Sequence, residues 1–552
     1  MPSISTGTAA EADTTQDSPG FLNFLDAAAT PWSRLPCFPL YEEEERRYGD
    51  DLVATVAATL AGTDSEEVDR TATLPDGLVQ DLRDAGLLAL RNGSAHGGLE
   101  ASDYNTFRVV ERAARASVAI AQLIAVQNGI GVAALLPSLP PGPLHAFIAQ
   151  HVSAGTVSGC SDTEPAGQNN SWRDTTATPT ADGTAYVLDG AKRFTTNAPV
   201  AGVIVLTAAV QDTGGRRRLG LVFLDMASPG VTVGPRHEFL GSRGLPNASL
   251  RFDAVHVPAE RVLLGSAPGG AGQPPSVGRL LINAAPALAI ARECLAISRE
   301  FVAGRAVDGR PLGDYDQIQR LIATTCADIH AMDSVARWCL LGHGDRGFEQ
   351  ALAKNICTVT AWQVADRTLS VLGGEGLETA RSKLGRGAAA LPVERLLRDA
   401  RGLRVAGNVD FMVDIQAGRV LLARHSEPTQ QWREWPDLVD RAGLSEANRR
   451  HVTALVTDMR RLSRTCADLA ERFPDPDAVP GGQEETQRLI GHIAGVLLTM
   501  FAVLSRAAYV DAGDDVASEL TDVHCTAARH RLVGLWAELS APPRDFARIS
   551  RA

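Results

Sequence analysis

The spacing of apolar residues divides the chain into helical, strand and again helical parts. From Tyr41 to about Gly155, apolar residues recur at three- and four-residue intervals, as in LPDGLVQDLRDAGLLAL, which predicts amphipathic helices. From about Thr156 to Pro258 the period falls to two, as in GVIVLTAAV and RLGLVFLDM, with Gly, Asp and Pro between the runs. This alternation predicts a sheet domain.

Helical periodicity returns after the Gly- and Pro-rich stretch GSAPGGAGQPPSVG. Patterns such as RLLINAAPALAIARECLAISREFV predict long helices, and a further helical block follows Pro436. Its segment GHIAGVLLTMFAVLSRAAYV lacks a basic polar face, so we interpret it as buried core rather than as a helix on a membrane surface. No run reaches the roughly 20 consecutive apolar residues of a membrane span.

These patterns predict an α+β protein that is mainly α. Its length of 552 residues suits several domains. We expect a tail (1–39), an N-terminal all-helical domain (40–155), a middle β domain (156–262), a C-terminal helical bundle (274–430) and an additional helical domain (437–552).

Composition and charge narrow the class of protein. With 45% apolar and 21% charged residues the chain resembles soluble globular proteins. A net charge of -12 argues against broad affinity for nucleic acid, which requires clustered Lys and Arg. The eight cysteines show no CxxC pair, so we expect reduced thiols and no metal site. The first twenty residues have no basic start followed by an apolar run, so we expect a cytoplasmic location.

Several short motifs occur along the chain in an order that can be compared with known families. SDTEP begins at Ser161, YVLDGAKRFTTNAP at Tyr186 and LGSRGLPNASLRFDAVHVPAERVLLG at Leu240, and then come GRAVDGRPLGD, LGGEGL and ERLLRDAR. Together with the helix, sheet, helix order, they make residues 40 to 425 resemble the acyl-CoA dehydrogenase superfamily. The resemblance implies a β-barrel-like middle domain, a C-terminal four-helix bundle and FAD-dependent oxidation of an acyl thioester, carried on CoA or on an acyl carrier protein.

The resemblance also assigns residues to the cofactor. Phe194 is suited to cover the isoalloxazine, and Thr163 and Thr196 offer hydrogen bonds to its polar edge; ordinary strand residues are the alternative for each. Arg305 suits a diphosphate, which backbone at Gly373–Gly374 can approach closely. In the family these last features come from the neighbouring subunit, which implies a homo-oligomer. The C-terminal extension resembles that of larger members and predicts a homodimer.

The family's proton acceptor is missing from its usual place. In the family a glutamate takes the α proton of the thioester and commonly follows the RDAR-like motif by six residues. Counting from Arg401 leads to Gly407, or to Ala406 with a shift of one, and neither side chain accepts a proton. Asp410 is the nearest carboxylate and our candidate catalytic base, with a solvated or N-capping aspartate as the alternative.

The second family location for this glutamate is also empty. It corresponds to the neighbourhood of Gly278 and Arg279, and no Asp or Glu lies between Arg261 and Arg292. Since a general base contributes roughly 10²–10⁴-fold in rate, ordinary β-oxidation is not expected.

A departure from the family also affects the substrate side. AGQNNSW replaces the family's Gly-Ser-Asp near the pantetheine, so Asn169, Asn170 and Ser171 are candidate substrate-binding residues. Three functions follow: an oxidoreductase acting on an acyl thioester, a flavin monooxygenase on the same fold, and a flavin-free non-redox enzyme or binding protein.

Overall fold

The computed structural model describes most of the chain. The described residues are 20–26, 34–167, 170, 172–212, 214–264, 277–342, 344, 346–426, 438–440, 443–472, 483–541 and 546–551. Before the sheet they form one short strand, β1 (Arg34–Pro36), and the helices α1 (Phe21–Asp26), α2 (Glu43–Thr59), α3 (Ser65–Thr71), α4 (Leu78–Asp84), α5 (Asp103–Ala116), α6 (Val118–Gly129), α7 (Val132–Leu135) and α8 (Pro143–Ser153).

Local side-chain chemistry sets several of these helix starts. Ser102 caps α5 by accepting a hydrogen bond from the backbone NH of Asn105 at 3.1 Å, and Asp64 caps α3. Every residue of α6 is buried; the helix is mostly apolar, and its polar Gln127 and Asn128 donate to the carbonyls of Leu88 and Leu87.

The middle of the chain folds as one mixed sheet. Its strands are β2 (Ser158–Ser161), β3 (Thr176–Pro179), β4 (Ala185–Thr196), β5 (Val203–Gln211), β6 (Arg217–Asp225), β7 (Val231–Arg236), β8 (Asn247–Pro258) and β9 (Val262–Leu264). The strand order is β7-β8-β4-β3-β5-β6-β9, and β2 pairs in parallel with β5. The antiparallel pairing of β4 with β8 has a register shift between Lys192 and Thr195, which forms a β-bulge.

The next part is a bundle of long helices. It begins with a π-helical segment, Leu280–Ala284, and continues with α9 (Ala285–Ala303), β10 (Ala306–Val307), β11 (Arg310–Pro311), α10 (Asp316–Leu341), α11 (Gly347–Leu372), α12 (Gly374–Leu377), α13 (Ala380–Gly385), α14 (Val393–Leu403) and α15 (Asp410–Ser426). Helix α11 packs against α9, α10, α14 and α15.

The last described elements are helical apart from one short strand. They are β12 (Leu438–Asp440), α16 (Glu446–Arg472), α17 (Gln483–Tyr509), α18 (Asp515–Leu539) and α19 (Phe546–Ile549). Strand β12 pairs antiparallel with β1, and α17 packs against α10, α15 and α18. The prediction of a mainly α protein with helical parts on both sides of a sheet is confirmed.

The C-terminal helices share one apolar core with the bundle. Phe501 of α17 is fully buried, with its ring 5.0 Å from that of Trp338 on α10 and 5.5 Å from that of Phe21. Phe24 completes the contact from the same side, at 5.1 Å. Phe21–Asp26 is therefore a packed helix, contrary to the prediction of a tail as far as residue 39, because its aromatic side chains fill this core.

Three described helices are long and apolar enough to cross a membrane, judged by length and composition alone. They are Val118–Ser138, Leu280–Ala303 and Glu484–Tyr509. Polar residues interrupt each of them, so none is a run of about 20 consecutive apolar residues. The apolar stretch of 18 residues within each of these helices is 94%, 78% and 89% buried inside the protein, respectively. The interpretation of the last helix as buried core is confirmed, since Leu497 and Leu504 are fully buried.

Candidate active site

The ERLLRDAR motif lies on α14 and ties three parts of the fold together. Arg398 pairs with Asp69 of α3 at 2.8 Å, and Asp399 accepts a hydrogen bond from the backbone NH of Ser242 at 2.6 Å. Burial raises the pKa of Asp399 to about 6. These contacts hold the end of α14 against the N-terminal helices and the sheet. They thereby position residues 404–410, the turn that follows.

The β-bulge on β4 brings together the three residues predicted to contact a flavin ring. Phe194 has a positive φ of 57° and is 55% exposed, and its ring lies 5.0 Å from that of His237. The side chain of Asn247 donates to the carbonyl of Phe194 at 3.0 Å and to the hydroxyl of Thr196 at 2.9 Å. On the other side, the NH of Arg193 donates to the carbonyl of Thr163 at 2.8 Å.

A buried ion pair supports this bulge from beneath. Nζ of Lys192 lies 2.9 Å from Oε1 of Glu164, and their side chains are 0% and 1% exposed. Glu164 also accepts from the backbone NH groups of Asp174 and Thr175. Burial raises the pKa of Glu164, but the hydrogen bond from Lys192 and those from Asp174 and Thr175 outweigh it and lower the pKa to about 2. The sequence reasoning missed this pair; a lysine inside a strand of alternating apolar residues was the available signal.

The predicted diphosphate site lies at the surface of the bundle. Arg305 is 51% exposed and its Nη1 lies 3.2 Å from Oε1 of Glu375, the residue after Gly374. Gly373 has a φ of 61°, and a Cβ built on either Gly373 or Gly374 meets nothing within 4 Å. The structure thus brings Arg305 and the two glycines together on an open surface.

The turn after α14 contains the two positions where the family's glutamate was sought. Gly407 has a φ of 67°, and a Cβ built on it would lie 2.9 Å from Nδ2 of Asn283 in the π-helical segment. Asn283 is 0% exposed and donates to the carbonyl of Arg279 at 3.2 Å. Its Oδ1 has no hydrogen-bond partner within the described ranges. Ala406 adds only a methyl group, so the Asn283 amide fills the space beside this turn.

Asp410, the predicted candidate base, is held by a neighbouring cation. It is the first residue of α15, and its Oδ2 accepts from Nε and Nη2 of Arg404 at 2.9 and 2.5 Å. Burial raises the pKa of Asp410, but the bonds from Arg404 outweigh it and leave the pKa below its usual value. Its Oδ1 accepts from the NH of Phe411. These contacts fit the alternative interpretation, a carboxylate at a helix N-terminus.

Lys354 is a second residue of this region that the sequence reasoning missed. Its side chain is fully buried, and Nζ donates to the carbonyls of Arg404 and Asn408 at 3.0 and 2.8 Å. Burial lowers the pKa of Lys354 to about 8. No local pattern distinguished Lys354, because it stands beside Asn355 and other polar residues of α11 are also buried. Lys354 fixes the backbone of the turn that contains Gly407.

The predicted substrate-binding residues are only partly described. Asn170 is exposed and its carbonyl accepts from Nη1 of Arg173 at 2.7 Å, whereas Asn169 and Ser171 lie outside the described residues. In the described part of the chain, no group of three or more His, Cys, Asp or Glu side chains is arranged to hold a metal ion.

The comparisons with known sequences agree with this architecture. The N-terminal, middle and C-terminal domain families of acyl-CoA dehydrogenase match residues 42–137, 160–255 and 276–421. A probable acyl-CoA dehydrogenase, FadE10 of Mycobacterium tuberculosis, is 28% identical and the match covers 94% of this chain and 86% of the relative. Cyclohex-1-ene-1-carbonyl-CoA dehydrogenase of Geobacter metallireducens is 26% identical over 69% of this chain and 98% of its own.

Solved structures show the same fold. An acyl-CoA dehydrogenase from Bacillus anthracis, complexed with FAD, has a TM-score of 0.70 at 17% identity and covers 92% of this chain and 90% of its own. Butyryl-CoA dehydrogenase from Megasphaera elsdenii has a TM-score of 0.58 at 23% identity, covering 68% of this chain and 98% of its own. The fold and the site define an oxidoreductase of the acyl-CoA dehydrogenase type. The chain belongs to the acyl-CoA dehydrogenase superfamily.

Proposed function

We propose that this protein is an FAD-dependent oxidoreductase that acts on an acyl thioester without a protein carboxylate at the family's usual position for the base. The observation that carries the proposal is the bulge on β4, which presents Phe194 beside Thr163 and Thr196 in a superfamily fold. The superfamily relatives are named for CoA thioesters, which supports this class of substrate.

The side chains at the bulge and at the bundle surface fit FAD. An exposed aromatic ring on a sheet bulge offers a face to an isoalloxazine, and the half-buried Thr163 and Thr196 offer polar groups beside it. Arg305 and the open backbone at Gly373–Gly374 would hold the diphosphate. Bound FAD supplies the acceptor for two electrons.

Homodimerisation is part of the proposal. Arg305 and the two glycines lie at one exposed surface of the bundle, where a second subunit's cofactor has access to them. The carrier of the acyl group, CoA or an acyl carrier protein, and the cytoplasmic location remain predictions from the sequence.

The turn at Gly407 decides how a proton leaves the substrate. Gly407 and Ala406 carry no proton acceptor, and Asp410 is bound to Arg404. The family's usual position for the base therefore holds no proton acceptor, and the nearest described carboxylate, Asp410, is held by Arg404. The same observation favours a second function, a flavin monooxygenase, because that chemistry does not depend on this glutamate.

One spectroscopic experiment separates these functions. The purified protein, with and without added FAD, is expected to show the absorption of bound oxidised flavin. Anaerobic addition of butyryl-CoA or a longer acyl-CoA is then expected to bleach that absorption. Bleaching that needs a flavin reductase, with turnover that needs oxygen, would instead identify the monooxygenase. A protein that binds no added FAD would leave only the flavin-free alternative.

A further inference from the structure

His237 contacts the bulge on β4 both through its ring and through its hydrogen bonds. It follows directly after β7, and its ring centroid lies 5.0 Å from that of Phe194, with an angle of 58° between the ring planes. Phe239 lies near both rings, at 6.3 Å from Phe194 and 6.1 Å from His237. The three rings form one cluster, so the imidazole limits the positions open to the ring of Phe194.

The side-chain amide of Asn247 fits the bulge in only one orientation. One end of it lies 3.0 Å from the carbonyl oxygen of Phe194, and a carbonyl oxygen can only accept a hydrogen bond. The atom at that end must therefore be the nitrogen, Nδ2, which also donates to the hydroxyl of Thr196 at 2.9 Å. The other end, Oδ1, then lies 2.9 Å from Nδ1 of His237.

This orientation determines which ring nitrogen of His237 carries a proton. An amide oxygen only accepts, so Nδ1 of His237 must donate to Oδ1 of Asn247. Nδ1 is protonated in the cationic ring as well, so the bond persists in both charge states. In the neutral ring, Nε2 accepts from the hydroxyl of Ser249 at 3.1 Å. The Asn247 side chain is buried, and His237 is the one described residue that donates to its oxygen.

The same hydrogen bonds leave the hydroxyl of Thr196 free to donate. Because Oγ1 of Thr196 accepts from Asn247, its own proton has no acceptor within the described part of the chain. Thr196 is half-buried and follows two residues after the exposed Phe194 on the bulge, beside the place proposed for the isoalloxazine. A free O–H at this point can donate to the polar edge of that ring system.

The amide of Asn247 also supports an unfavourable backbone conformation. Phe194 has a φ of 57°, in the left-handed region that costs free energy for any residue other than glycine. Its carbonyl is held by Asn247, which is in turn held by His237. The backbone NH of His237 donates to the carbonyl of Asn247 at 2.9 Å, so the main chain keeps its place when the side chain of His237 is changed.

We propose that His237 is a positioning residue for the flavin, which acts through the amide of Asn247. Its Nδ1–H holds that amide so that Nδ2 supports the carbonyl of Phe194 and directs the hydroxyl proton of Thr196 towards the isoalloxazine. This inference rests on the proposed function, because it concerns the same cofactor site. It adds a residue outside the sequence motif that contains Phe194 and Thr196.

NMR of the FAD-loaded protein, labelled at its histidine ring nitrogens, tests the orientation directly. The ring signals of His237 are those that disappear in His237→Phe. At a pH where this ring is neutral, they are expected to show the proton on Nδ1. A proton on Nε2, with Nδ1 unprotonated, would overturn the proposal, because Nδ1 could not then donate to the amide oxygen.

Titration of the apoprotein with FAD tests the effect on the flavin. His237→Phe keeps a ring beside Phe194 but removes Nδ1–H, and it is expected to raise the Kd for FAD about threefold to tenfold, as for the loss of one hydrogen bond. The absorption band of the bound flavin is expected to shift as well. His237→Asn can place an amide N–H near the position of Nδ1 and is expected to recover part of the affinity. The matched control Ser249→Ala removes only the partner of Nε2 and is expected to change the Kd less than about twofold, without a shift of the band.

A double-variant cycle tests whether His237 acts through Asn247. In the presence of Asn247→Leu, adding His237→Phe is expected to change the Kd for FAD less than about twofold. Additive losses in the double variant would overturn the proposal, and so would wild-type affinity with an unshifted band in His237→Phe. If Asn247→Leu does not fold, the NMR result and the single His237 variants still decide.

Failure of the proposed function is distinguishable from failure of this inference. A protein that binds FAD as expected, but whose flavin no acyl-CoA bleaches, would lose the proposed function and retain His237 as a positioning residue. A wild-type protein that binds no FAD would overturn both. Normal bleaching with an unprotonated Nδ1 would overturn this inference alone.

Discussion

A Cβ placed on Gly407 would lie 2.9 Å from Nδ2 of Asn283, so the amide of Asn283 occupies the space in which a side chain at position 407 would begin. The two residues are far apart in the chain and meet where the π-helical segment packs against the turn after α14. Position 407 thus lacks a glutamate, and Asn283 fills the space that the side chain of such a glutamate would enter.

Restoring a glutamate at this turn is expected to destabilise the protein. Gly407→Glu and the control Gly407→Ala both impose a side chain at a φ of 67° and against Asn283, at an expected cost of at least about 1–2 kcal/mol. Adding Asn283→Ala is expected to recover part of the loss, because the short contact is removed. Thermal denaturation of the three variants checks this. Single variants as stable as the wild type would show that the turn rearranges freely.

Removing the carboxylate of Asp410 is expected to leave catalysis nearly intact. Its Oδ2 is held by Arg404, so the side chain serves the start of α15 rather than proton transfer. Asp410→Asn is therefore expected to change turnover less than about threefold, whereas loss of a general base costs roughly 10²–10⁴-fold. Anaerobic flavin reduction by an acyl-CoA is the measurement. A rate lowered a hundredfold would make Asp410 the base after all.

The patterns of apolar residues predicted the architecture because each element buries its apolar side chains on one face or on both. Three- and four-residue spacing along α4 follows directly from helix geometry. Strand β5, by contrast, is buried at seven of its nine positions, so its apolar run reflects a strand covered on both faces rather than the predicted alternation. The Phe21–Asp26 helix was not predicted, because six residues carry too little periodicity to distinguish a helix from a tail. Only the contact with Phe501 shows that these residues belong to the core.

The candidate site was predictable only where its residues lie close in sequence. Phe194 and Thr196 belong to one motif and share a bulge. The contacts of Asn283 with Gly407 and of Lys354 with Asn408 join two helical segments to the turn after α14, and no local pattern specifies such long-range pairs. Asn283 stands alone among apolar residues in LLINAAPALAIA, whereas Lys354 is followed by Asn355 and is not marked in this way.

The buried pair of Lys192 and Glu164 is expected to be essential to the sheet. Lys192→Met would leave the Glu164 carboxylate buried without its cation, at a cost of about 3–5 kcal/mol. The double variant Lys192→Met/Glu164→Gln is expected to be more stable than Lys192→Met alone, because no uncompensated charge remains. Melting temperatures measured by circular dichroism test whether the double variant is more stable than Lys192→Met. If the double variant is the less stable one, the cost arises from packing rather than from charge.

Arg305 is expected to govern the affinity for FAD. It lies beside Gly373–Gly374 with half of its side chain exposed, and Glu375 is its only ion-pair partner among the described residues. Arg305→Gln is expected to weaken FAD binding at least about tenfold through loss of a charge-assisted bond. The matched control Glu375→Gln removes the competing carboxylate and is expected to leave binding unchanged or tighter. Titration of apoprotein with FAD measures both, and equal weakening in both variants would point to a structural role for the pair.

Two aspartates one helical turn apart on α15 are expected to give opposite dependences of stability on pH. Burial raises the pKa of Asp414 to about 7, despite the hydrogen bond that Asn355 donates to it at 2.9 Å, whereas Arg404 holds the pKa of Asp410 below its usual value. His492, 3.7 Å from Asp414, is neutral at pH 7, since burial lowers its pKa to about 4.

The sign for each aspartate follows from which state binds the proton more tightly. Asp414 binds its proton more tightly in the folded state than in the unfolded state. Its contribution to the free energy of unfolding is therefore complete below its ordinary pKa of 3.8 and is lost as pH rises towards about 7. Asp414→Asn should therefore raise the melting temperature relative to the wild type at about pH 8 and bring less gain at about pH 5. Asp410→Asn should lower it at about pH 8, because the ion pair with Arg404 is lost. Melting curves at both pH values test the pair, and parallel shifts in the two variants would show that neither carboxyl has the protonation state inferred here.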